Sequence, residues 1–183
     1  MPSDAELMDA VRSGDEAAFE ALLARYWAPL VAYARRLVVH EYRAEDIAQE
    51  TWIRLWERRA AWTPTGTVRS YLYRITRNLA LNDLEKTRTQ RRWVEEEARR
   101  EVRHVPSPDE VIEGDRLRAV VEAAIAALPE RRREVFVLAR YHGHSYAEIA
   151  EVMGISRQTV ANQMSAALDQ LRAELHAEVD RES

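Results

Sequence analysis

The side chains able to move protons or hold a metal fall into two groups in this sequence. His40, Glu45, Asp46 and Glu50 lie close together, and His142 and His144 flank Gly143. At helical spacing Asp46 and Glu50 share a face without a histidine, and His142 and His144 fall in a turn ahead of a capped helix. A metal centre needs several ligands converging from one side, whereas isolated histidines are ordinarily satisfied or solvated. The chain has no cysteine, which removes thiolate zinc sites and disulfides. Neither a phosphate-cradling glycine loop nor a nucleophile beside a base is present. The sequence therefore reads as a non-enzyme with no metal and no cofactor. The chemistry that remains is recognition of another macromolecule by spaced polar and charged side chains.

Three stretches carry such spacing. In AEDIAQETWIRLW, Ala44 to Trp56, and its continuation, Ala48, Trp52, Leu55 and Arg59 fall on one side of a helix with Trp56 beside them. Asp46, Gln49, Glu50, Ile53 and Glu57 fall on the other. The first side is an aromatic anchor able to organise a small core, and the second is a row of carboxylates suited to a basic partner. A second helix, capped by Thr67, shows Arg74, Arg77, Asn78 and Lys86 on its polar side. It begins near Trp62 and Arg69 and ends in a cluster containing Arg88, Arg91 and Arg92. A solvated face is the usual fate of such a charge run, but a basic track beside aromatics and an amide is also what single-stranded nucleic acid prefers.

The third stretch, SYAEIAEVMGISRQTVANQMSAAL, has a helix-turn-helix pattern. Ala150 supplies the small residue at the crossing, Gly154 the left-handed turn, and Ile149, Ile155 and Val160 the buried corner. With Val160, Met164, Leu168 and Leu171 facing the core, Arg157, Gln158, Ala161, Asn162 and Ser165 face outward near the N-terminus of the second helix. That is the end that enters a major groove. Gln158 and Asn162 lie four apart, and either amide can pair bidentately with adenine. Ser156 caps this helix, and Arg157 with the free backbone N–H groups after Ser156 suits a phosphate.

The elements that position these residues are helices throughout. Only five glycines and six prolines occur in 183 residues, and long stretches of Ala, Leu, Glu and Arg replace any alternating β-branched run, so the fold class is all-α. Hydrophobic residues at 46% exclude a disordered chain. No apolar run approaches the roughly 20 residues of a membrane span, and the acidic N-terminus is unlike a secretory signal, so a cytoplasmic protein is expected. Capping boxes at Ser3 with Glu6 and at Ser145 with Glu148, together with caps at Asp15 and Ser107, mark helix starts. Pro29 should kink or divide the helix that carries Phe19, Leu22, Tyr26 and Tyr33. Trp93 to Pro106 is charge-rich without an apolar stripe and reads as a flexible linker between two small helical domains, 1–92 and 107–183.

The net charge of −4 is unusual for a nucleic-acid binder, but the charge is segregated. Asp4 to Glu20 carries six carboxylates against Arg12 alone, whereas Arg69 to Arg92 carries seven bases against Asp83 and Glu85.

AEDIAQETWIRLWE, then SYLYRITRNLALNDL with its arginine tail, then ALPERRREVFVL, then SYAEIAEVMGIS followed by TV, in that order, resemble extracytoplasmic-function sigma factors of bacterial RNA polymerase. The resemblance spans about Asp15 to Leu175. It implies a region-two helical bundle and a region-four helix-turn-helix joined by the linker, with core RNA polymerase, promoter DNA and an anti-sigma factor as partners. Asp46, Gln49, Glu50, Ile53 and Glu57 would then dock on the β′ clamp of the polymerase, and region four would sit at the β flap. Trp62, Arg69, Arg74, Arg77, Asn78, Lys86, Arg88, Arg91 and Arg92 would take the melted minus-ten strand. Ser156, Arg157, Gln158, Thr159, Ala161, Asn162 and Ser165 would meet the minus-thirty-five element. The chain departs from the family where several bases usually follow the TV pair: here Ala161, Asn162, Gln163, Ala166, Ala167 and Asp169 stand. A stand-alone helix-turn-helix regulator is the rival reading. It accounts for the C-terminal half and leaves the acidic face and the basic helix without a role.

Limited proteolysis should cut first within Trp93 to Pro106 and release two resistant fragments. A linker as resistant as its flanking helices would mean that the two halves behave as one unit.

Overall fold

The computed structural model describes residues 1–63, 66–97 and 113–181, and for 88, 90–97, 113–118 and 177–181 the backbone alone. All the regular structure among these residues is helical. Helix α1 (Asp4–Arg12) opens on a complete capping box, in which the Glu6 N–H donates to Ser3 Oγ at 3.3 Å and the Ser3 N–H to Glu6 Oε2 at 2.7 Å. Gly14 turns the chain with φ 91°, and the Asp15 carboxylate caps α2 (Glu16–Leu37) by accepting from the Ala18 N–H at 3.0 Å.

Pro29 does not divide α2, one of the two outcomes its position suggests: the helix is continuous through it. Proline removes one helical N–H, but Leu22, Tyr26, Leu30, Val31, Tyr33 and Ala34 are buried on both sides of it. Packing at both ends outweighs the single lost hydrogen bond.

After a short loop come α3 (Arg43–Arg58), a 3₁₀ turn (Arg59–Ala61) and α4 (Val68–Glu97). Helix α2 packs against α1, α3 and α4, and α3 packs against α4. The seam contains small residues: Ala34, Ala44, Ala48 and Ala80 are wholly buried beside Val31 and Ile47. Within the same core the Tyr33 and Tyr73 rings meet at 5.1 Å, and burial pushes the Tyr73 phenol up to about 12. Thr67 caps α4 through its hydroxyl, which accepts from the Ser70 N–H at 3.0 Å. Helix α4 continues past Arg92 to Glu97, into the segment expected to be linker. That segment lacks an apolar stripe, yet its glutamates are good helix formers and extend an existing helix without a new nucleus. The expected restart at Ser107 to Glu110 lies outside the described residues.

The chain forms two compact units, one holding α1 to α4, the other α5 (Glu113–Ala127), α6 (Glu130–Arg140), α8 (Arg157–Arg181) and α7 (Tyr146–Met153) as far as Ala150. In the second unit α5 and α6 pack on α8. Ala124, Ile125, Leu128, Ala167 and Leu171 form one cluster, with Val121 and Phe136 against it. The capping box before α7 is complete, with the Ser145 N–H donating to Glu148 Oε2 at 2.9 Å and the Glu148 N–H to Ser145 Oγ at 3.3 Å. Gly154 makes the turn into α8 with φ 65°, and the Ile155 N–H reaches back to the Ala150 carbonyl at 3.1 Å.

A Cβ at Gly154 would meet nothing within 4 Å, so the left-handed backbone alone penalises a substitution. Gly154→Ala should lower stability by about 1–2 kcal/mol, and Gly154→Asn by less, as measured by urea unfolding.

Candidate functional site

Helix α3 divides as its spacing requires. Ala44, Ile47, Ala48, Thr51, Trp52 and Leu55 are buried, and Asp46, Gln49, Ile53 and Glu57 are exposed with Glu50 half-exposed. The outward row is not a bare acidic stripe, however. Arg43 NH1 holds Asp46 at 2.6 Å and Arg54 Nε holds Glu50 at 2.8 Å. Arg43 also grips Asp83 of α4 through Nε at 3.0 Å and NH2 at 2.9 Å, and that hydrogen bonding raises the guanidinium above its ordinary value. Both arginines stand at i,i+3 or i,i+4 spacing from their acids, a signal visible in the sequence but unused in reading the face as purely acidic.

Beside this row a groove of about 770 Å³ lies between α2 and α3. Phe19, Leu23, Trp27, Trp52, Ile53 and Trp56 form its apolar lining, and Glu16, Glu20, Gln49 and Glu57 contribute the polar groups. The Phe19 ring stands perpendicular to Trp52 at 5.5 Å and near Trp56 at 5.1 Å, and Arg59 caps the Trp56 ring at 4.2 Å. Trp52 is only 3% exposed, and its indole N–H has no hydrogen-bond acceptor among the described residues. Sequence reasoning placed Phe19 only as an apolar residue of its helix. It missed the groove because helical periodicity gives the face of each helix but not the gap left between two bulky faces.

On α4, Asn78 and Lys86 are exposed, and Arg69, Arg74 and Arg77 are half-buried. The Arg74 guanidinium lies over the Tyr71 ring at 5.5 Å. Asn78 lies four residues after Arg74 and so follows it on the same face. Trp62 is buried, 7% exposed, with its ring 6.5 Å from that of Tyr71. The side chains of Arg88, Arg91 and Arg92 lie outside the described residues.

At the start of α8, Arg157, Gln158, Asn162 and Ser165 are exposed, and Thr159 and Ala161 half-buried. Val160, Met164, Ala167 and Leu171 are buried, with Ala167 more fully enclosed than the expected Leu168. Ser156 Oγ accepts from the Thr159 N–H at 3.0 Å, and the two hydroxyls meet at 2.8 Å. Both residues therefore serve the helix cap. Gln158 Nε2 donates to Asn162 Oδ1 at 3.0 Å. No Lys or Arg stands between Arg157 and Arg172. Neither a cluster of three or more metal-ligating side chains nor a helix long and apolar enough to cross a membrane occurs among the described residues.

Residues 22–90 match the Sigma-70 region 2 family and 118–171 match Sigma-70, region 4. An all-helical chain with these two regions in this order is a sigma factor, a DNA-binding protein of transcription initiation. The ECF RNA polymerase sigma factor SigL of Mycobacterium tuberculosis is 31% identical over 165 residues, 89% of this chain and 92% of that protein. SigE of Mycolicibacterium smegmatis is likewise 31% identical, over 93% of this chain and 67% of that protein. Among solved structures, CnrH in complex with the cytosolic domain of CnrY superposes with a TM-score of 0.70 at 28% identity, covering 95% of this chain and 97% of that one. The chain belongs to the extracytoplasmic-function RNA polymerase sigma factors. Its function is that of the family, and the reading as a regulator that binds DNA without polymerase gains no support.

The cap geometry separates Ser156 from Thr159. Ser156→Ala should cost about 1 kcal/mol of stability and speed amide exchange in the first turn of α8. Thr159→Val keeps the Ser156 Oγ bond to the backbone and should change both much less.

Proposed function

We propose that the outward face of α3 and the adjoining groove are one docking surface for core RNA polymerase. Asp46, Glu50 and Glu57 meet bases of the β′ clamp, while Gln49 and Ile53 pass from that row into the apolar slot. The observation that carries this reading is their continuity: Gln49, Ile53 and Glu57 belong to the α3 row and also line the groove. An amphipathic helix with basic edges and an apolar ridge fits such a surface. Docking would exchange Arg43 and Arg54 for the partner's bases rather than strip water from bare carboxylates, which favours correct register and fast association more than raw affinity.

The same reading gives α4 the melted minus-ten strand. Asn78 pairs with the edge of an unstacked base, and Arg69, Arg74, Arg77, Lys86 and the arginines beyond it hold phosphates. Helix α8 meets the minus-thirty-five element with Arg157, Gln158, Ala161, Asn162 and Ser165, and region four sits at the β flap. Residues 1–92 and 107–183 act as separate modules across the linker 93–106, in the cytoplasm. The role is recognition without bond-making, so neither metal nor cofactor takes part. Two solved sigma factor structures are complexes, one with the cytosolic domain of CnrY and one with the anti-sigma factor NepR. An inhibitor of that kind would act here by covering the α3 surface.

Reversing Asp46 and Glu50 to Lys breaks two exposed ion pairs, each contributing about 0–1 kcal/mol, so the fold should survive. Affinity for core polymerase should fall at least tenfold, roughly the loss of 1.4 kcal/mol, in a fluorescence binding assay. Native circular dichroism with undiminished core affinity would refute the assignment.

A further inference from the structure

The exposed start of α8 offers few groups that can read a base. The Ser156 and Thr159 hydroxyls are turned to each other and to the helix cap, Ala161 has no polar group, and the next cation after Arg157 is Arg172. Beside Arg157 and the single hydroxyl of Ser165 stand two exposed amides, Gln158 and Asn162, and they are joined: the Gln158 amide donates to the Asn162 carbonyl at 3.0 Å.

We propose that Gln158 and Asn162 act as one linked reader at a single base pair, selecting adenine over guanine, with Gln158 fixing the orientation of the Asn162 amide. This rests on the reading in which α8 meets the minus-thirty-five element. Each side-chain amide has one carbonyl and one NH2 group. The link uses a hydrogen from one amide and a lone pair of the other, and this leaves a carbonyl on one residue and an NH2 on its neighbour. If both amides turn over together, the link re-forms in the opposite sense and again leaves one acceptor beside one donor. An unlinked pair is not so restricted, because each amide can turn independently.

One acceptor beside one donor complements the major-groove edge of adenine, whose N6 donates and N7 accepts. Guanine offers two acceptors there, O6 and N7, and so leaves the carbonyl of the pair facing a lone pair. Guanine is ordinarily read by Arg or Lys, and neither occurs on this face beyond Arg157. Each amide also limits the other's rotamers before DNA arrives, which lowers the ordering cost on binding.

Gln158→Glu gives a sharp test because it preserves size and position. A carboxylate at 158 cannot donate, so the link survives only with the Asn162 NH2 donating to it. The outward groups then become the second carboxylate oxygen and the Asn162 carbonyl, two acceptors. Two acceptors suit the amino group of cytosine.

The experiment uses holoenzyme assembled from the full chain and core polymerase, with promoters carrying every single-base substitution across the minus-thirty-five element. Binding is read as a ratio between bases at each position. The wild type should prefer adenine over guanine at one position by about tenfold. Gln158→Ala and Asn162→Ala should each remove most of that preference at the same position, and the double variant should lose no more than either alone. Gln158→Glu should move the preference toward cytosine there, a change that a merely structural role for Gln158 would not produce. If the two alanine variants relax different positions and their effects add, the residues read separately and the linked reader is overturned, while minus-thirty-five recognition by α8 stands. If no variant alters preference anywhere in the element while core binding is normal, both readings are overturned together.

Discussion

The close approach of α3 to α4 sets the direction in which the outer faces of both helices point. Thr51 and Thr76 are wholly buried, with their hydroxyl oxygens 3.0 Å apart, and each hydroxyl also lies within hydrogen-bonding distance of a carbonyl one turn earlier in its own helix. Larger residues at these positions would push the helices apart, and unpaired hydroxyls would be costly in a dry seam. With Ala48 and Ala80 buried in the same region, the rotation of both helices is fixed. The outer side of α3 then carries the carboxylate row, and the outer side of α4 carries Asn78. Arg43 spans the two helices at the rim, bound to Asp46 and Asp83. A shift of one helix would therefore be felt on both surfaces.

Much of this could be read from the residues because helix starts are local chemistry. Ser3, Asp15, Thr67, Ser145 and Ser156 all make the cap hydrogen bonds that their positions suggest. The split of α3 into a buried and an outward face follows from periodicity alone. The misreadings share one origin, which is that local rules do not report tertiary packing. Pro29 disfavours a helix locally but sits between buried turns. The groove needs the spacing between α2 and α3, which no single helix encodes. The pairing of Asp46 and Glu50 with arginines could have been inferred, since i,i+3 and i,i+4 offsets are in the sequence.

Charge is distributed in a way that a net value conceals. The first unit sets an acidic α1–α2 start against a basic α4, while the exposed start of α8 carries only Arg157. Affinity for phosphate rises with the number of contacts made by Lys and Arg, so a helix start with a single base has little to offer the salt-sensitive, sequence-independent term. Such a helix tolerates dilution of its DNA affinity if another body holds the duplex nearby, because the second contact is then made at high effective concentration.

The groove between α2 and α3 also has an optical consequence. Three of the five tryptophans, Trp27, Trp52 and Trp56, line it. Trp52 is already shielded from water, while Trp27 and Trp56 are partly open. Indole emission shifts to shorter wavelength as water is excluded, so any occupant of the slot should announce itself in the intrinsic fluorescence of the protein. The two open rings provide the change in signal and the shielded one a constant background. The chain thus carries a built-in, label-free reporter at this groove.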